Sequence, residues 1–212
     1  MSNWCSNNVT FSHPDPTQVK RMYLALTAED PILFEEFIPC PAELKEQTEI
    51  GEDYMARDEA RKAANLSKYA YEDWYGYNIN NWGTKWDVAD ADVTYTEGDT
   101  KLVVSFDTAW GPPIAFYENM EEELGWQVDA FYYESGVNFC GRYNYGDDDY
   151  YEITGGPNWV KKNIPLEIND MYDISGQMAD ADDDFEDDED EDEDDFDIRD
   201  NLVVITDEKT DK

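Results

Sequence analysis

The sequence predicts an α+β fold: an antiparallel sheet of split βαβ layout, with helices on one face, a helical insertion and a disordered acidic C-terminal tail. Three observations predict it. Residues 101–110 alternate strictly, with Leu102, Val104, Phe106, Thr108 and Trp110 on one side and Val103, Ser105, Asp107 and Ala109 on the other. That period of two marks a strand with one buried face. Stretches of helical spacing lie before and after this strand. From Ala179 onward acids dominate, so the chain there buries too little apolar area to offset its ordering entropy.

The stretch from Asn80 to Pro113 organises the rest. It holds three of the seven tryptophans and three glycines. Gly111-Pro112-Pro113 ends the strand, because proline donates no ladder bond and restricts the residue before it. Trp82 and Trp86 are four apart and would share a side of a strand, with Gly83 signalling a bulge or a close backbone approach. Trp4, Trp82, Gly83, Trp86, Phe106 and Trp110 are the expected structural core.

Trp4 to Phe11 reads as a first strand, broken at His13-Pro14-Asp15-Pro16. Asp15 caps a helix with Pro16 at its first position. Val19, Met22, Tyr23, Leu24 and Leu26 give that helix its apolar stripe to about Thr27. Pro31 to Ile38 is a short apolar run, read as a strand ended by Pro39-Cys40-Pro41. Residues 43–75 are polar and helical, an insertion on the domain edge. Ile114, Phe116, Tyr117, Met120 and Leu124 make a second main helix stopped at Gly125. Val128–Tyr133 and Val137–Tyr145 form a hairpin about Glu134-Ser135-Gly136. Gly146-Asp147-Asp148-Asp149 reads as a further turn, with a last strand at Tyr150–Thr154. The order strand, helix, strand, insertion, strand, helix, strand fits a ferredoxin-like layout over residues 1–156. Residues 157–178 are a surface-packing extension, and 179–212 the tail.

Four stretches carry a resemblance: Asn3-Trp4-Cys5-Ser6-Asn7, Pro39-Cys40-Pro41, Asn81-Trp82-Gly83-Thr84-Lys85-Trp86-Asp87 and Phe106-Asp107-Thr108-Ala109-Trp110-Gly111-Pro112-Pro113. Over about residues 2–145 the chain resembles the YubB-type ferredoxin-like family of bacteriophage and plasmid proteins. The resemblance implies a ferredoxin-like sheet and a mobile-element origin, and it assigns no catalytic residues.

The 212 residues carry 52 acids against 15 lysines and arginines, a formal charge of −37. Such charge opposes direct contact with nucleic acid or an anionic membrane and favours a basic protein partner. The 21 residues 180–200 hold 16 acids and one arginine, and 201–212 hold three acids and two lysines. Residues 1–179 keep 33 acids against 12 bases, a net of −21. The folded part is therefore acidic in its own right.

Cys5, Cys40 and Cys140 are scattered, form no CxxC pair and read as reduced thiols. They cannot hold an iron–sulfur cluster, which takes four ligands. The single histidine, His13, offers neither a zinc set nor a catalytic base with a placed nucleophile. There is no phosphate-binding glycine loop. No cofactor and no metal is assigned. The N-terminus lacks the basic start and apolar run of a signal peptide, and no stretch nears the ~18 apolar residues of a membrane span. The chain reads as cytoplasmic, in a bacterial host.

The leading reading is a non-enzymatic inhibitor: a nucleic-acid mimic that occupies the basic surface of a nuclease, restriction or defence complex, or polymerase. Its candidate partner-binding residues are Asp147, Asp148 and Asp149 in the body. In the tail they are Asp183, Asp184, Phe185, Glu186, Asp187, Asp188, Asp194, Asp195, Phe196, Asp197 and Ile198, apolar anchors set among acids. One alternative is an assembly module forming homo-oligomers. Another is a metal-dependent hydrolase built from Asp87, Asp90, Asp92 and Asp107, should their strands pair; among 52 acids such clustering also arises by chance.

Overall fold

The computed structural model describes residues 3–189, with side chains described through residue 181. Strand β1 (Trp4–Ser12) alternates buried and half-exposed residues along its length. Helix α1 (Pro16–Leu26) starts where expected: the Asp15 carboxylate accepts the Thr17 N–H at 2.9 Å, and Pro16 needs no partner at the first helical position. Val19, Met22, Ala25 and Leu26 are its buried face.

The run 31–38 corrects an expectation. It is not a strand but contains the short helix α2 (Leu33–Phe37), which buries Leu33, Phe34 and Phe37. Isolated short helices are unstable because the first turn is costly. This one is held from outside by Asp87, whose carboxylate accepts the N–H groups of Phe34 and Glu35.

The polar segment folds into α3 (Ala42–Lys45), α4 (Tyr54–Tyr69) and α5 (Trp74–Asn81). Because α5 runs to Asn81, Trp82 is its C-terminal cap and not a strand residue. Next come β2 (Ala89–Thr94), β3 (Lys101–Ala109), α6 (Ile114–Glu122), β4 (Gln127–Glu134), β5 (Phe139–Asn144) and β6 (Asp147–Glu152). A second correction falls here. Asp147, Asp148 and Asp149 lie in a strand rather than a turn. Tyr145 and Gly146 both take positive φ, 49° and 84°, and so close the hairpin in two residues.

The six strands form one antiparallel sheet in the order β2-β3-β1-β4-β5-β6. Val9 sits opposite Val104 on one side and Ala130 on the other, and Phe11 opposite Leu102 and Val128. This face packs against α1, α2 and α6 through Met22, Phe34, Phe116 and Met120.

Helices were expected on one face only, and the structure shows them on both. Tyr133 and Cys140, paired across β4 and β5, point away from the main core. They are covered by α7 (Pro157–Asn163), α8 (Leu166–Tyr172) and α9 (Ile174–Glu189) through Val160, Ile164, Ile168 and Ile174. The reason is compositional: both parities of β4 carry apolar side chains, so both faces seek cover. The expected surface extension over 157–178 is thus a second packed layer.

The expected acidic tail begins within α9. Asp183, Asp184, Phe185, Glu186, Asp187 and Asp188 fall in the backbone of that helix, beyond the described side chains. Asp194, Asp195, Phe196, Asp197 and Ile198 lie outside the described residues. Among the described residues no helix is long and apolar enough to cross a membrane.

Candidate functional site

Of the six residues expected in the core, Trp82 and Phe106 are buried. The Trp82 indole N–H donates to the Ile38 carbonyl at 2.9 Å. Gly83 makes the close approach its spacing implied: at φ +86° its backbone lies against the start of α6, where an added Cβ would stand 3.1 Å from the Ile114 nitrogen. The other three tryptophans correct the expectation. Trp4 and Trp86 are 43% exposed and Trp110 is 52% exposed.

Each has a local cause. Trp4 alternates with buried Cys5 and so takes the other face of β1. Trp110 follows the last residue of β3 at φ +73°, which breaks the alternation that would have turned it inward. Trp86 sits in the loop between α5 and β2, beyond the residues that tie that loop down.

Those ties reach into the fold. The Thr84 hydroxyl donates to the Ala109 carbonyl at 3.0 Å, and the Asn78 amide to the Lys85 carbonyl at 2.9 Å. The Phe116 N–H donates to the Trp82 carbonyl at 3.2 Å. The loop therefore holds its outward side chains in place. Lys85 Nζ lies 3.7 Å from the centroid of the Trp86 ring, and the Trp4 and Trp86 rings are 6.2 Å apart. On one side of the loop a cavity of about 390 Å³ is lined by Tyr75, Ile79, Gly83, Lys85, Ala109, Trp110 and Gly111. On the other, a cavity of about 400 Å³ is lined by Trp74, Asn78, Trp82, Trp86 and Asp87 among others. Tyr75 and Ile79 were not singled out by sequence, and Lys85 entered only as part of the Asn81–Asp87 stretch. Their signal is the helical spacing of Tyr75 and Ile79, one turn apart.

Burial pushes the Asp87 carboxyl above its ordinary range, against the pull of three backbone N–H groups from Phe34, Glu35 and Val88. Asp107 accepts the Ser6 hydroxyl at 2.8 Å. Among the described residues no group of three or more His, Cys, Asp or Glu is placed to hold a metal ion. The three cysteines are free and buried. Burial raises the Cys40 and Cys140 thiols to about 11, and Cys5 higher still.

The predicted acidic residues of the body lie together on the edge strand β6, all exposed. Asp148 accepts the Tyr132 hydroxyl at 2.7 Å; its side chain leans on the sheet, and this partial desolvation outweighs the hydrogen bond and raises its carboxyl above the ordinary range. Arg142 stands opposite Asp149 in register, yet its guanidinium is spent on Asp129 and Glu167. The edge is left anionic.

No family model matches the chain, and no curated protein matches it. Among solved structures it is similar to the crystal structure of protein api92 from Yersinia pseudotuberculosis, described under family model DUF1281. That match has 11% identity and a TM-score of 0.40, and covers 74% of this chain and 100% of the other. A likeness this low carries no argument about fold or function.

Proposed function

We propose that this chain is a non-enzymatic binding protein that presents ordered carboxylates to the basic, nucleic-acid-binding surface of a host protein and so blocks it. The observation that carries the reading is the run Asp147-Asp148-Asp149 on the exposed edge strand of an acidic body. An extended strand advances about 3.4 Å per residue and alternates its faces, so Asp147 and Asp149 share one face about 7 Å apart while Asp148 takes the other. Association of this kind is fast and sensitive to salt.

The sheet order supports a ferredoxin-like reading of the body. β1, α1, β2, β3, α6 and β4 follow the split βαβ sequence, and the order β2-β3-β1-β4 is antiparallel throughout. β5 and β6 then extend that sheet. Together with the resemblance to the YubB-type family, this supports an origin in a phage or plasmid and a partner in the bacterial cytoplasm.

The test is affinity capture from bacterial lysate at low and moderate salt, followed by displacement with duplex DNA. A nucleic-acid-binding protein captured at low salt and released by DNA is the expected result. Recovery of no such protein overturns the proposal. A truncation ending at Ala179 then reports whether the body suffices.

A further inference from the structure

We propose that the cavity where α2, α3, α5 and the loop to β2 meet is a binding site for a small planar heteroaromatic anion: a ring that carries an N–H donor and one carboxylate. The proposal stands or falls apart from the acidic-binder reading above.

The walls select the ring. The cavity, of about 400 Å³, is lined by Trp74, Trp82 and Trp86, with Ile32 beside them. Aromatic walls with a few placed polar groups are the make-up of small-molecule sites, and indole rings give planar ligands stacked or edge contacts. Trp82 is held from behind: its N–H is spent on the Ile38 carbonyl, and the Phe34 ring lies 5.6 Å from its own. Trp86 is exposed and gains cover from an occupant.

Asn78 selects the donor. This side chain lines the cavity and is 5% exposed. Its amide N–H donates to the Lys85 carbonyl, which fixes the orientation of the amide. Its Oδ1 accepts no hydrogen bond among the described residues. A buried carbonyl without a donor is costly, and a ligand N–H that reaches it removes the cost.

The charge is selected locally. Glu35, Lys45, Lys85 and Asp87 are the charged residues of the lining. Glu35 pairs with Lys45, and Asp87 is spent on the N–H groups of Phe34, Glu35 and Val88. Lys85 is left with no carboxylate partner among the described residues, its ammonium resting on the Trp86 ring. One unpaired cation suits one carboxylate, and the 33 acids against 12 bases of residues 1–179 disfavour a polyanion.

The experiment titrates the full chain at low salt by saturation-transfer NMR with three probes. Indoleacetate has ring, N–H and carboxylate; naphthaleneacetate lacks the N–H; tryptamine keeps the indole but is a cation. Indoleacetate should bind at about millimolar affinity or tighter, and the other two at least about threefold more weakly. Lys85→Met keeps the backbone carbonyl that Asn78 uses. It should weaken indoleacetate about three- to tenfold and abolish the preference over tryptamine. Trp86→Leu, at an exposed position, should weaken indoleacetate and naphthaleneacetate alike. Absence of indoleacetate binding, tryptamine binding as tightly, or unchanged affinity in both variants overturns the proposal. Equal affinity for naphthaleneacetate also overturns it, since the N–H would then play no part.

Discussion

Asp87 caps a helix from which it is separated by 53 residues of chain: its Oδ1 accepts the Phe34 N–H at 2.9 Å. The other carboxylate oxygen takes the Glu35 N–H, and Oδ1 also takes Val88 N–H. Removing this side chain leaves three donors without their acceptor, in a region where Phe34 is fully buried. Asp87→Ala should therefore cost at least about 2 kcal/mol, read as a shift of the urea midpoint. Asp87→Asn keeps one acceptor oxygen and should fall between.

At Gly83 the constraint is steric. Its φ of +86° disfavours any side chain, and the atoms a Cβ would meet are backbone atoms of Pro113, Ile114 and Ala115 at the start of α6, which cannot swing away. Gly83→Ala should destabilise by about 1–3 kcal/mol, measured by thermal unfolding. A neutral substitution would show that the junction of α5 and α6 is looser than its geometry.

Local patterns were legible in the sequence where they decide structure. Alternation in β1 and β3, the Asp15-Pro16 start of α1, the stop at Gly125 and the hairpin of β4 and β5 all depend on neighbours along the chain. The misread places depend on distant partners. Residues 33–37 are helical because Asp87 caps them, and nothing within the run says so. Trp110 continued the alternation of β3 in sequence, but its positive φ turned it out. The second face did leave a signal: Phe131-Tyr132-Tyr133 is apolar in both parities, which one-sided burial does not require. Of the candidate site, the acids of β6 were legible as charge but not as a strand edge. Tyr75, Ile79 and Lys85 become a surface only once α5 and the end of β3 are brought together.

Ile168 tests the second layer. It is buried against a cluster containing Tyr133, Cys140 and Ile174. Ile168→Ala should cost about 2–5 kcal/mol, far more than a surface extension would lose. Truncation after residue 156 would strip α7, α8 and α9 from Tyr133 and Cys140 and should give an aggregating product, seen by size-exclusion chromatography.

The thiols set a pH dependence. Burial raises all three in the folded chain, Cys40 and Cys140 to about 11. An unfolded thiol ionises from about pH 8.5. Raised folded values mean the native state holds these protons longer, so their stabilisation is complete below that pH. It is lost as pH climbs from about 8.5 through about 11. Urea midpoints should fall across that window, and the fall should shrink in a variant with the cysteines changed to alanine. At pH 8 the native thiols should resist a disulfide reagent, and all three should react after unfolding.

The acidic edge divides the two roles its carboxylates can play. Charges on an edge strand deter pairing with another chain, and they also attract a cationic partner. Asp148 is kept in the variant, because the Tyr132 hydroxyl depends on it at 2.7 Å. The double substitution Asp147→Asn with Asp149→Asn removes two exposed charges and no described hydrogen-bond partner. Its stability should stay within about 0.5 kcal/mol of wild type. If the edge is a contact, affinity of the full chain for a synthetic arginine–glycine dodecapeptide, read by calorimetry, should drop at low salt, and the difference should narrow at moderate salt as screening removes the attraction. Unchanged affinity, with new self-association in sedimentation, would assign these acids to edge protection alone.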